Sequence, residues 1–298
     1  MTSSTYNAPM YLRNKISVLN KGFWVSLLLV SLGACSIKFV YNQMDWVIPG
    51  FFDDYVELND EQEGLLDKRL QTLLRWHRTD QLPAYVSWLK QLEGDVANGL
   101  DVTRLQQHYQ RVEKFLAAMT ERMVTELGDI MLSLEPQQKQ NLFKNFATKN
   151  REYEQEYVKR SEIDRIKQHI VMLDDNLEMW LGELQPQQKT LLAKTATKLH
   201  PIAASQLQSR LQWQDRLKSI LDDESPISVR KQSLMQHILQ TTPTRTSEHQ
   251  NKLDQNRILI MNMVVNVLSL MDQTQREHLI NKLHDYQQAF QELSQQTS

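Results

Sequence analysis

The sequence predicts an all-α fold, an irregular multi-helix bundle built from αα-hairpins, and three observations carry that prediction. The body of the chain is dominated by Leu, Gln, Lys, Arg and Glu, residues that lose little side-chain freedom in a helix. Only six glycines follow residue 34, too few to turn an all-β protein of this length. Apolar residues recur at spacings of three and four, the period of a helix with one buried face.

A helix-start pattern appears four times. It runs from Leu58 to Gln62, Leu134 to Gln138, Leu184 to Gln188 and Met271 to Gln275, with Leu66, Leu142, Leu192 and Leu279 each eight residues past the first apolar position. The second residue of each reads as an N-cap, and the Gln at N3 can reach back to the cap's backbone N–H. Asn59 and Asp272 are good caps, whereas Glu135 and Gln185 are poor ones. The starts lie 76, 50 and 87 residues apart, so they do not describe a regular solenoid.

The remaining helices follow in order. Residues 60–78 carry Leu65, Leu66, Leu70, Leu73, Leu74 and Trp76 on one face, and Pro83 opens a second helix to about Leu92. Asp101 or Thr103 caps a long helix to Leu134 with a bend near Gly128. Residues 149–162 are polar and charged, a solvated helix or its end, and 163–184 again carry an apolar stripe. Pro201 opens a helix through Leu221, and Asp222 to Pro226 is a loop. Residues 240–247, with Pro243 among threonines, form an internal break. Residues 253–271 are apolar on most sides except for Asn262, Asn266 and Ser269, which predicts the most buried helix of the bundle. The tail after Leu293 is expected to fray.

The N-terminus has a different character. Arg13, Lys15 and Lys21 precede an apolar run of 11 residues, Gly22 to Leu32, and no acid occurs before Asp45. Spanning a bilayer takes about 20 apolar residues, so this run fits a secretory signal rather than a transmembrane helix. Leu32, Gly33, Ala34 and Cys35 close it and resemble the bacterial lipobox. The resemblance implies cleavage between Ala34 and Cys35, with diacylglyceryl attachment and N-acylation at Cys35. Residues 1–34 are then a lipoprotein signal peptide and 35–298 a single helical periplasmic domain. Ser36, rather than Asp, implies sorting to the outer membrane. Three acyl chains exceed the two signals that stable anchoring needs, at about 0.8 kcal/mol per buried methylene. No Ser/Gly tether follows. Residues 35–57 are instead rich in aromatics, among them Phe39, Tyr41, Trp46, Phe51, Phe52 and Tyr55, which suit either the headgroup layer or the core. Core packing is the favoured reading, because interleaved acids would be repelled by anionic lipid.

Charge and cysteine usage narrow the partners. Past residue 34 the chain has 31 Lys plus Arg against 36 Asp plus Glu, so nucleic acid is not an expected partner. Cys35 is the only cysteine, leaving the exported body to stand on its core without a disulfide. The nucleophile-elbow, zincin, phosphate-loop and dinucleotide motifs do not occur. The eight histidines are scattered with no i, i+4 pair, so neither a metal site nor a cofactor beyond the lipid is expected. The densest polar constellation joins Arg75, His77 and Arg78 with the upstream acids Asp45, Asp53 and Asp54. It reads either as an acidic–basic pocket near the membrane or as a salt-bridged helix end.

Cys35-Ser36, Tyr41-Asn42, Asp45-Trp46, Asp53-Asp54-Tyr55, Leu58 with Gln62, and Trp76-His77-Arg78 with Leu82-Pro83 and Tyr85 together resemble an uncharacterised family of proteobacterial lipoproteins. That resemblance implies location and helical fold, not activity. The repeated starts are similar to the Leu-Thr-x-x-Gln motif of small periplasmic stress proteins, which include an ATP-independent chaperone, although Thr is absent from all four copies here. The expected function is therefore a non-enzymatic, outer-membrane-anchored module that binds an envelope protein or component. A holdase-like chaperone is the alternative, and an enzyme of unfamiliar type the third reading.

Overall fold

The computed structural model describes residues 34–239 and 245–296, and every regular element among them is helical. The expected signal sequence before Ala34, and the Thr/Pro break from 240 to 244, lie outside the described residues. In chain order the helices are α1 (Ala34–Tyr41), α2 (Met44–Asp53), α3 (Asp60–Trp76), α4 (Leu82–Ala97), α5 (Val102–Leu132) and α6 (Pro136–Tyr153). They continue as α7 (Glu162–Leu181), α8 (Pro186–Ala196), α9 (Ala203–Asp222), α10 (Ile227–Leu239), α11 (Ser247–Ser269) and α12 (Gln273–Ser294). No helix among the described residues is long and apolar enough to cross a membrane.

The helix starts form as their spacing predicts. Asn59 and Asp272 accept from the N3 backbone N–H at 3.0 and 2.8 Å, as good caps should. The side chains of Gln62, Gln138 and Gln188 accept from the backbone N–H of Asn59, Glu135 and Gln185 at 2.9–3.0 Å. The four starts then assemble as two pairs. Gln62 and Gln138 exchange amide hydrogen bonds of 3.1 and 2.7 Å, and Gln188 and Gln275 exchange two of 2.9 Å. Each amide also donates to a backbone carbonyl beside its partner's helix: Ser133 and Glu57 in the first pair, Val267 and Glu183 in the second. The caps pair too, Asn59 with Glu135 and Gln185 with Asp272. A pairwise arrangement has no need of equal intervals along the chain.

Two cores are nucleated around these pairs. Leu58, Leu66, Leu134 and Leu142 enter one, together with Leu217 and Leu234 from α9 and α10. Leu184, Leu192 and Leu279 enter the other, which gathers α1, α4, α7, α8, α11 and α12. At about 25 cal/mol per Å² of apolar surface removed from water, such fully buried leucines dominate the stabilisation. Gly128 lies in the first core, where an added Cβ would come within 3.5 Å of Leu234. Two carboxylates one turn apart tie three helices there. Glu126 on α5 meets Arg122 at 2.8 Å and Arg69 of α3 at 3.4 Å, and Asp129 one turn on binds Lys231 of α10 at 2.8 Å.

Three expectations are corrected. Pro83 does not start a separate helix. The chain stays helical from α3 into α4 through a π-helical turn, His77–Gln81, in which Leu82 N–H bonds the His77 carbonyl. Shifting the ladder to i→i−5 just ahead of the proline accommodates the missing donor without breaking the rod. Second, α4 runs five residues past Leu92, to Ala97. Third, α11 is not the most buried helix: Ile258 on it is 56% exposed, whereas α12 buries Leu279, Leu283, Tyr286, Ala289 and Leu293. The reason is position, since α12 is packed against α1, α4 and α7, while α11 lies on α8 and α5.

Candidate functional site

Of the predicted polar cluster, the structure brings together only His77 and Arg78, and with aromatics rather than acids. Asp45, Asp53, Asp54 and Arg75 are exposed, and among the described residues no ion pair joins them to one another. Arg75 and His77 are two residues apart on a helix and so face different directions. His77 instead meets Tyr41 at the end of α1. The rings stack at 5.5 Å, and a hydrogen bond of 2.8 Å joins the Tyr41 hydroxyl to His77 Nδ1. Tyr85 packs edge-on to His77, and Phe115 and Phe290 continue the stack into α5 and α12. Arg78 covers the Tyr41 ring at 5.5 Å.

The electrostatics of this cluster keep it neutral. Burial, reinforced by the neighbouring Arg78, pushes His77 down to about 4. Burial raises Tyr41 to about 12 against the opposing pull of Arg78. Burial thus holds the phenol protonated and the imidazole unprotonated, so the pair carries no charge at pH 7. Here the Trp-His-Arg segment is a dock for α1, with Ile37 and Tyr41 both buried against it and α12.

A concave site lies elsewhere, between α4 and α5. A groove of about 220 Å³ is lined by Trp88, Gln91, Gln107, His108, Gln110, Arg111 and Lys114. At its floor Trp88 Nε1–H donates to His108 Nδ1 at 3.1 Å, and His108 Nε2–H donates to Asp95 at 2.9 Å. An indole nitrogen can only donate, so Nδ1 must accept and the imidazole proton sits on Nε2. This Asp–His pair resembles half of a catalytic triad, yet the nitrogen that would act as base is already bonded. Two cations, three amides and an indole ring give the groove the chemistry to hold a polar, anionic group.

This groove is hidden in the sequence, where Gln91, Gln107 and Gln110 look like ordinary solvated helix positions. Arg210, buried on α9 with the ring of Tyr153 at 4.7 Å, stands outside the predicted cluster as well. A signal for it is present: Arg210 and Gln214 extend the stripe of Leu217 and Leu221 backwards at spacings of four, three and four. Among the described residues no three His, Cys, Asp or Glu side chains converge as a metal site would require.

The model of a protein family of unknown function matches residues 54–248, from the loop after α2 into the first turn of α11. The groove and Arg210 both fall inside this stretch, whereas α1 falls outside it. No curated protein and no solved structure matches the chain.

Proposed function

The chain belongs to that family, DUF6279, and we propose that this member is a lipoprotein, acylated at Cys35 and held on the periplasmic side of the outer membrane, where it acts as a non-enzymatic binding module. The observation that carries the reading is the place of Cys35. It follows a short apolar run closed by Leu32, Gly33 and Ala34, and stands two residues ahead of Ile37, which is only 1% exposed. With the lipid at that position, no tether separates the acyl chains from the folded body. Lys38 anchors the same helix to Glu292 of α12 at 2.5 Å, so α1 is part of the body rather than a leash. Phe39, one turn on from Cys35, is 69% exposed, which supports a reading in which its ring enters the headgroup layer.

A body held this close presents its α4–α5 groove to whatever lies at the membrane surface, and the cations and amides there suit an anionic envelope component. The alternative, a holdase-like chaperone, needs a broad apolar surface. The groove is lined mainly by polar side chains, which favours the binding-module reading.

The test is fractionation of cells expressing the parent and Cys35→Ala, with metabolic labelling by a radioactive fatty acid. The parent should be labelled and recovered with outer membranes, and the variant should be unlabelled and keep its leader. Equal processing and equal distribution of the two would overturn the assignment. A photo-cross-linker at Gln110 should then capture an envelope component in the parent only.

A further inference from the structure

Arg210 is a buried cation that no carboxylate among the described residues pairs. It is 2% exposed, and the groups acting on its charge are two phenols, Tyr153 and Tyr55. Tyr153 supplies a ring face, and Asn150 Oδ1 receives Nη1–H at 3.5 Å, the outer limit for a hydrogen bond. Asn150 is otherwise committed to Gln214, to which it donates at 2.7 Å. Among the described residues the nitrogens Nε and Nη2 have no hydrogen-bond partner, and neither does the buried hydroxyl of Tyr55. Nε–H and Nη2–H are the two donors of one edge of the guanidinium, the side-on fork that matches a carboxylate or phosphate bidentately. Buried charges in proteins are paired, and buried donors are bonded. One edge of Arg210 violates both rules, and the unbonded hydroxyl of Tyr55 belongs to a ring near enough to act on its charge.

We infer that Arg210 is the anchor of an oxyanion site, in which a phosphate or carboxylate group spans Nε and Nη2 and accepts a further hydrogen bond from the Tyr55 hydroxyl. The three segments that build it are the loop after α2, the end of α6 and the middle of α9. The π-helical turn Glu154–Val158, which follows Tyr153, packs against α9 beside these segments. Such a turn shifts the backbone ladder out of α register, as recurs where helices carry ligand sites.

Thermal unfolding and titration calorimetry of the full chain in detergent decide the matter, with inorganic phosphate and acetate added separately at an ionic strength fixed by chloride. The expected result is a saturable rise in Tm with at least one of the two anions, which then identifies the group as phosphate or carboxylate. Arg210→Met should abolish the rise. Tyr55→Phe, which removes a hydroxyl that bonds nothing, should leave the anion-free Tm in place and weaken binding about tenfold, as expected for one hydrogen bond to a charged group. Absence of a saturable response to either anion in the parent overturns the site, as does a response unchanged in Tyr55→Phe. That second variant decides the question even where Arg210→Met does not fold.

Discussion

Gln188 and Gln275 hold one another by two side-chain hydrogen bonds of 2.9 Å, lying between the first turns of α8 and α12 and shut off from water. Each amide nitrogen spends its second proton on a backbone carbonyl across the junction, Val267 or Glu183, so no donor in the pair is left over. Gln62 and Gln138 repeat the arrangement between α3 and α6. A fully satisfied buried amide pair fixes the relative position of two helices in a way that apolar contacts, which slide, do not.

Truncating one partner strands the other. Gln188→Leu or Gln275→Leu alone should destabilise the fold by about 2–3 kcal/mol, because a buried amide loses its partner. The double Leu variant should cost clearly less than the sum of the two single changes. Denaturant unfolding of the four proteins gives the coupling, and strict additivity would show that the amides do not interact.

The four starts were legible in the sequence because a helix N-terminus is a local event, set by the cap, the N3 residue and the apolar positions after it. Their pairing was not, since which N-terminus meets which is decided by tertiary packing. The π-helical turns were equally hidden: His77 to Gln81 has ordinary helical composition, and only Pro83 marks the stress on the ladder. Of the polar cluster read from the sequence, the fold brings His77 and Arg78 onto Tyr41 rather than onto the acids. Arg75 and His77 look adjacent in sequence, but their separation of two residues turns them apart, and the partners of His77 come from Tyr41, Tyr85 and, through Tyr85, Phe115.

Glu126 supports the junction of α3 and α5 through two arginines. Its side chain is 7% exposed, whereas Arg69 and Arg122 reach solvent at 40% and 34%. Removing the carboxylate leaves cations that water can still serve, so Glu126→Gln should cost about 2 kcal/mol rather than the 3–5 typical of a wholly buried pair. Arg69→Met should cost less, because Arg122 still pairs the carboxylate. Chemical denaturation of both variants checks the order, and a larger loss in Arg69→Met would contradict it.

The floor of the groove can be tested without knowing its ligand. Trp88→Phe keeps an aromatic ring but removes the only donor to His108 Nδ1, and should lower stability by about 1–2 kcal/mol. Nitrogen-15 shifts of the imidazole in the parent should report the Nε2–H tautomer at neutral pH. Finding the Nδ1–H tautomer would undo the assignment of the Asp95–His108–Trp88 chain.

Stability should fall on acidification because of His77. Its pKa is lowered in the fold to about 4 from an ordinary value near 6.5, so the unfolded chain takes up a proton that the folded one refuses. The fold is therefore at full strength above pH 6.5, weakens as pH drops from 6.5 to 4, and loses nothing further to this group below 4. The gap corresponds to about 3 kcal/mol, a ceiling for a ring that is not wholly shielded from water. Burial lowers His169, His237 and His249 in the same direction, so they add to the slope without changing its sign. Denaturant unfolding at pH 7.5 and pH 4.5 should show the parent losing more stability than His77→Gln, whose side-chain amide can still hydrogen-bond to Tyr41. Equal losses in the two proteins would mean that His77 is protonated in the fold.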